Sequence, residues 1–176
     1  MGLIFIAGSY GVGKSTLGDE LCALTQIPFY SAGDLISEYN GEFYKINKYV
    51  KDKDTNQNIL IDAVEKKLIT SNKIILAGHF CIFDKSNRVE TLPLFVFKKL
   101  HIDTIIVLET TVDRIISNIS RRDSKKYSAE SIGNLIEQEN IQANLVSNEL
   151  NIPLYKHIMK FDGSDVDDVL KHIEEF

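Results

Sequence analysis

A chain of 176 residues with 44% hydrophobic and 26% charged residues is long enough for one domain with a substantial core, and it has the balance of an ordinary globular protein. Its formal net charge of −5 argues against a dedicated nucleic-acid binder, which carries a basic field, and no apolar run reaches membrane length. Cys22 and Cys81 stand far apart without zinc spacing and read as reduced core thiols of a cytoplasmic protein; no basic leader precedes the first apolar run.

In chain order, Leu3-Ile4-Phe5-Ile6-Ala7 is apolar throughout, the pattern of a strand buried on both faces. It runs into Gly8-Ser9-Tyr10-Gly11-Val12-Gly13-Lys14-Ser15-Thr16, which has the Gly-x-x-x-x-Gly-Lys-Ser frame of a phosphate-binding loop. Glycines at 8, 11 and 13 free the backbone to turn successive N–H groups inward around an anion. Lys14 supplies a mobile charge to the β- and γ-phosphates, and Ser15 is placed to ligate Mg²⁺. Leu17, Leu21 and Leu24 recur at helical spacing, so a helix follows and aims its positive end at the same anion. Strand, loop and helix come in the order that a triphosphate site requires.

Ile27 to Tyr30 predicts a short second strand, Ser31-Ala32-Gly33-Asp34 a turn, and residues 32–40 a helix. Gly41 to Asp54 is polar and mixed, consistent with short helices or an ordered loop. A helix is expected over Ile59 to Ile69 and a buried strand over Lys73 to Ala77, with Gly78-His79 opening the loop at its carboxyl end. Pro93 starts a short helix over Leu94 to Leu100, and Thr104 to Leu108 is another buried strand. An amphipathic helix over about 111–122 ends in the charged turn Arg121 to Tyr127, and Ser128 caps a long helix to Leu150. Lys156 to Phe161 gives a last strand, and Ser164 starts a terminal helix.

Alternating strands and helices predict a parallel sheet with helices on both faces, one domain over residues 1–176. In such a sheet the ligand lies outside the carboxyl ends of the strands. Residues 8–16, 31–37, 77–81 and 109–113 should therefore meet in space.

The loop 8–16, the turn Ser31 to Asp34, Gly78-His79 and Arg121-Arg122-Asp123, in this order and spacing, resemble the P-loop nucleoside monophosphate kinases. The chain is similar above all to archaeal-type adenylate kinases and their unassigned bacterial relatives that carry an AAA label. The resemblance implies a three-layer fold with a five-stranded parallel sheet of order 2-3-1-4-5, an acceptor-binding region over about 31–72 and a short lid over about 119–129. It implies ATP and Mg²⁺ at Gly8, Gly11, Val12, Gly13, Lys14, Ser15 and Thr16, with Gly163 and Ser164 passing the adenine. Arg121 and Arg122 would be lid arginines, and Asp34 the acid that organises metal or acceptor. Several positions depart from the family's pattern. Ser37 stands where an Arg holds the AMP phosphate, Ala77 where an Asp holds Mg²⁺ through water, Asn118 where an adenine-stacking Arg is common, and Lys51-Asp52-Lys53-Asp54 where an Arg-Asp pair is found.

Each candidate has a plainer reading beside the functional one. Asp34 either orients a metal-bound water or accepts a hydroxyl proton, or it is only an acid favoured at a helix start. Glu109 could replace the missing acid or simply be a solvated strand-end residue. His79 could hold an acceptor or act as a base, or merely pin its loop to a neighbour. Arg121 and Arg122 either supply an arginine finger or end a helix in solvent. The function expected is transfer of the γ-phosphoryl group of ATP to a small acceptor, a nucleotide or nucleoside. The alternative is an ATPase or nucleotide-dependent switch working with an RNA or protein partner.

Overall fold

The computed structural model describes residues 2–40, 53–84, 86–122 and 127–173. Along the chain run β1 (Gly2–Ala7), α1 (Lys14–Thr25), β2 (Phe29–Ser31), α2 (Ala32–Asn40), α3 (Lys53–Ser71), β3 (Lys73–Ala77), β4 (Cys81–Phe83) and β5 (Val89–Thr91). Then follow α4 (Leu94–Lys99), β6 (Ile102–Glu109), α5 (Val112–Arg122), α6 (Ala129–Leu150), β7 (Leu154–Ile158) and α7 (Asp165–Ile173). The main sheet has five strands in the order β2-β3-β1-β6-β7, every pair parallel, while β4 and β5 form a separate antiparallel hairpin. Counted without the hairpin, the sheet strands follow the expected order 2-3-1-4-5.

The period of two along β1 divides the core. Leu3, Phe5 and Ala7 face one apolar layer with Leu60, Val64, Val96, Phe97, Leu135 and Val146 from α3, α4 and α6. Ile4 and Ile6 face the other, with Leu17 and Leu21 of α1 and Val169 and Ile173 of α7. Both faces are therefore covered, which is why β1, β3 and β6 read as largely apolar runs. A third cluster of Ile115, Ile119 and Ile132 joins α5 to α6 and takes in Tyr10, Phe83 and Tyr127.

Local signals behave as the sequence predicts at α6. The Ser128 hydroxyl accepts the Ser131 N–H at 3.0 Å, and Asn151 closes the helix in the left-handed region. Elsewhere the structure corrects the expectation. The hairpin β4–β5 is not foreseen: its strands have three residues each, too short to show alternation. Its turn is built by Asp84, whose Oδ1 accepts the N–H groups of Ser86 and Arg88 at 2.7 and 2.9 Å. α3 begins at Lys53, well before Ile59. The last strand ends at Ile158 rather than Phe161, because the N–H groups of Lys160 and Phe161 are taken by the Asp165 carboxylate and not by β6. Residues 41–52 of the polar stretch and 123–126 of the charged turn lie outside the described residues, and Lys51 with them.

Candidate active site

The phosphate loop spans β1 and α1, and its glycines are positioned by what they touch. Gly8, Gly11 and Gly13 have φ of 139°, 73° and 108°, a region that L side chains rarely adopt. A Cβ on Gly8 would stand 2.5 Å from the Leu108 carbonyl oxygen of β6, and one on Gly11 would stand 2.9 Å from Ile119 of α5. Gly13 faces Met159 and Phe161, beyond β7. Two elements and the segment after β7 thus press on one turn. Val12 is fully buried, so anything it offers a ligand comes from its backbone. Its side chain anchors the loop in the α1–α7 layer. Asn118 is also an anchor: its Nδ2 donates to the Gly11 carbonyl at 2.8 Å.

Lys14 Nζ donates to the carbonyls of Gly8 and Ser9 at 2.8 and 2.9 Å, so the ammonium lies across the loop itself. Ser15 and Thr16 are exposed in the first turn of α1, where N–H groups and the helix dipole favour an anion. Backbone, lysine and hydroxyl together fit a triphosphate. For Mg²⁺ the Ser15 hydroxyl is available, and no group of three or more His, Cys, Asp or Glu that could hold a metal occurs among the described residues. A Mg²⁺ ion that keeps most of its water and leans on phosphate oxygens suits such a site.

At the end of β3, Ala77 offers no carboxylate, and His79 occupies the loop beyond it. His79 Nδ1 lies 3.1 Å from Oε1 of Glu139, a carboxylate of α6. Glu139 is 1% exposed; its Oε2 accepts the Phe80 N–H at 3.0 Å and its Oε1 the Cys81 N–H at 3.4 Å. Burial and the Lys14 charge push the imidazole below its ordinary pKa, while the bond to Glu139 pulls the other way. The Tyr10 ring, inside the phosphate loop, lies 4.3 Å from the His79 ring and stacks on Phe83 at 5.8 Å. Phe83 in turn stacks on Tyr127 at 5.0 Å. Burial raises the Tyr10 hydroxyl to about 12 and, with Glu139 nearby, the Cys81 thiol to about 12, so Cys81 is an inert core thiol as expected.

Sequence reasoning did not find Glu139, although a signal for it exists. Residue 139 falls on the buried stripe Ile132, Leu135, Ala143, Val146, where a carboxylate is out of place.

Asp34 is exposed in the first turn of α2 and borders an open depression with Asp19, Tyr30, Ser31 and Glu38. The strand before it, β2, is separated from β1 by β3. Ser37 spends its hydroxyl on the Gly33 carbonyl of its own helix, at 2.8 Å. Glu109 is engaged by Lys156 at 3.5 Å, which also donates to Asn140. It is thus less suited to replace the missing acid than its place at a strand end suggested. Arg121 is exposed at the end of α5, and Arg122 closes the same helix.

The structure adds Arg114, one turn before Asn118. Its guanidinium lies 4.3 Å from the centroid of the Phe161 ring, and that ring borders Gly13. The pair makes a flat edge beside the phosphate loop. Next to it, Asp162 Oδ1 accepts the Ser164 N–H at 2.9 Å and its hydroxyl at 2.7 Å, and Gly163 turns with φ of 89°. His157 bonds Asp165 at 2.7 Å and His172 stacks on Tyr155, so both serve the fold.

A family model described as an AAA domain matches residues 7–135 of the chain. Over 143 residues the chain is 28% identical to the adenylate kinase isoenzyme 6 homolog of Schizosaccharomyces pombe, covering 81% of this chain and 69% of that protein. It is 28% identical over 142 residues to the adenylate kinase of Wolbachia pipientis subsp. Culex pipiens, covering 75% of this chain and 67% of that one. Among solved structures, a shikimate kinase from Bacteroides thetaiotaomicron has a TM-score of 0.62 at 14% identity, covering 99% of this chain and 97% of its own. A gluconokinase from Sinorhizobium meliloti 1021 has a TM-score of 0.62 at 13% identity, covering 99% and 92%. At such identities the two structures speak for the fold alone. Family match, relatives and fold bear out the expected likeness to P-loop nucleoside monophosphate kinases.

Proposed function

We propose that this chain, which belongs to the AAA domain family matched over residues 7–135, moves the γ-phosphoryl group of ATP to a small acceptor, a nucleotide or nucleoside. One observation carries the reading: a glycine loop clamped by β6 and α5, with Lys14 lying on it and Ser15 and Thr16 open to a ligand. The relatives named adenylate kinase support it.

In this reading the N–H groups of residues 11–16 hold the donor phosphates, and Lys14 moves from the Gly8 and Ser9 carbonyls to the β- and γ-oxygens. A Mg²⁺ ion, when bound, neutralises phosphate charge, and the Ser15 hydroxyl is the ligand that the loop offers it. The adenine lies along Gly163, Ser164 and the Arg114–Phe161 edge. Asp34 works on the acceptor side, His79 borders the transferring group, and Arg121 and Arg122 meet the charge that develops on it. The chain acts in the cytoplasm as a monomer or homodimer. Among the described residues no helix is long and apolar enough to cross a membrane.

Labelled ATP offered with a panel of nucleosides, nucleotides and small hydroxyl compounds tests the reading. Label should move to one acceptor class, and Lys14→Ala should lower that rate by about 10²-fold or more. A Lys14→Ala protein with full activity would reject the donor site. A second reading, an ATPase or switch acting with an RNA or protein partner, is favoured by Ser37, whose hydroxyl is turned back on its own helix. Hydrolysis without transfer, stimulated by such a partner, selects it.

A further inference from the structure

A carboxylate with 1% exposure persists only where its oxygens are bonded, because burying it unpaired costs several kcal/mol. All the bonds recorded for Glu139 go to one short segment: the Phe80 N–H, the Cys81 N–H and the His79 ring. That segment follows Ala77, where no acid is available to the phosphate site. His79 has little freedom once Glu139 holds Nδ1. The Tyr10 ring of the phosphate loop covers it at 4.3 Å. The two residues before Tyr10, Gly8 and Ser9, supply the carbonyls on which Lys14 rests.

We infer that Glu139 is a positioning residue: from α6 it fixes His79 against Tyr10 and so sets the geometry of the phosphate loop and Lys14. The end of β3 carries an imidazole on a buried carboxylate instead of a carboxylate of its own. Glu139 reaches no ligand directly, since its oxygens are already used by residues 79–81. It acts through the ring. What the positioning achieves, an efficient transfer step, rests on the phosphotransferase reading above.

The test is a cycle of Glu139→Ala, His79→Ala and the double variant, with Glu139→Gln alongside. Glu139→Ala and His79→Ala should each lower kcat by about tenfold or more, with the KM for ATP changed by less than about threefold, since displacement by ~1 Å costs up to ~10²-fold. The double variant should lose no more than either single one, because both remove the same device. The ¹⁵N-resolved ring spectrum of His79 should show a proton on Nδ1 in the wild type and lose that signature in Glu139→Ala. Losses that add, or a folded Glu139→Ala with wild-type kcat and an unchanged ring spectrum, would overturn the inference. Should Glu139→Ala fail to fold, Glu139→Gln replaces it in the cycle, since one carbonyl oxygen remains to hold the loop. If the wild type transfers phosphate to nothing, the functional reading fails alone; ATP hydrolysis and the ring spectrum still decide the role of Glu139.

Discussion

The sides that the proposed function assigns to donor and acceptor lie at the same end of the parallel strands, yet they are built differently. On the donor side each glycine of the loop faces a specific neighbour from a distant part of the chain: Leu108 for Gly8, Ile119 for Gly11 and Met159 for Gly13. Asn118 and Val12 add an anchor each. On the acceptor side β2 has three residues, all half-buried, and Asp34 and Glu38 face solvent across an open depression. A triphosphate has one shape, so a rigid cradle serves every member of a large family. Acceptors differ, and the segment that would meet them under the proposed function is an open depression. Rigidity here marks what is common, and openness marks what is particular to this chain.

The sharpest way to break this comparison is to add the same methyl group on each side. Gly8→Ala forces a side chain at a φ of 139°, with its Cβ 2.5 Å from a backbone oxygen that cannot yield cheaply. The cost is about 1–3 kcal/mol from backbone strain alone, and ATP affinity, read by calorimetry, should fall by tenfold or more. Gly33→Ala meets only the Ser31 hydroxyl at 3.8 Å, in a helix. It should raise the melting temperature slightly, by the equivalent of about 0.5–1 kcal/mol. If both variants behave alike, the two sides are not built differently.

A smaller effect sharpens the division of labour. Asp34→Asn removes the charge at the open side and keeps the shape. We expect kcat to fall by about tenfold or more, as for loss of a general base, while the dissociation constant of ATP stays within about twofold. Weakened Mg²⁺-dependent ATP binding in this variant would move Asp34 to the donor side, as a metal organiser.

Much of the donor side is legible in the sequence, because its chemistry sits in consecutive residues. Gly8 to Thr16 specify backbone conformation, charge and hydroxyl within one turn, and the apolar runs on either side fix the sheet. What supports the loop is not legible in the same way. Glu139 and Arg114 come from helices far along the chain, and their partners, His79 and Phe161, are met only when the sheet brings them together. Asn118 reads as a lost arginine in a motif, whereas in space it holds the loop, and Arg114 one turn earlier forms the flat edge. The hairpin β4–β5 is hidden for a different reason: three-residue strands carry too little pattern.

The donor side also depends on a charge that acid removes. Burial alone would raise the Asp165 carboxyl, but bonds from the Lys160 N–H, His157 and the Phe161 N–H outweigh it and hold the group below its usual value. The folded pKa lies below the unfolded value of about 3.9, so the folded state binds this proton less readily than the unfolded chain. The stabilisation is therefore fully present above about pH 4 and is lost as pH falls through the folded value. Asp165→Asn should lower stability at pH 7 by about 1–3 kcal/mol, the range for a lost charged hydrogen bond. That deficit should shrink as both proteins are unfolded in urea at progressively lower pH below about 4. Because Asp165 holds Phe161, which borders Gly13, the variant should also weaken ATP binding modestly at neutral pH. The Asp34 side should be left untouched, with the KM for the acceptor unchanged. A deficit that stays constant with pH would mean that the Asp165 charge contributes nothing and that shape alone holds the Phe161 loop.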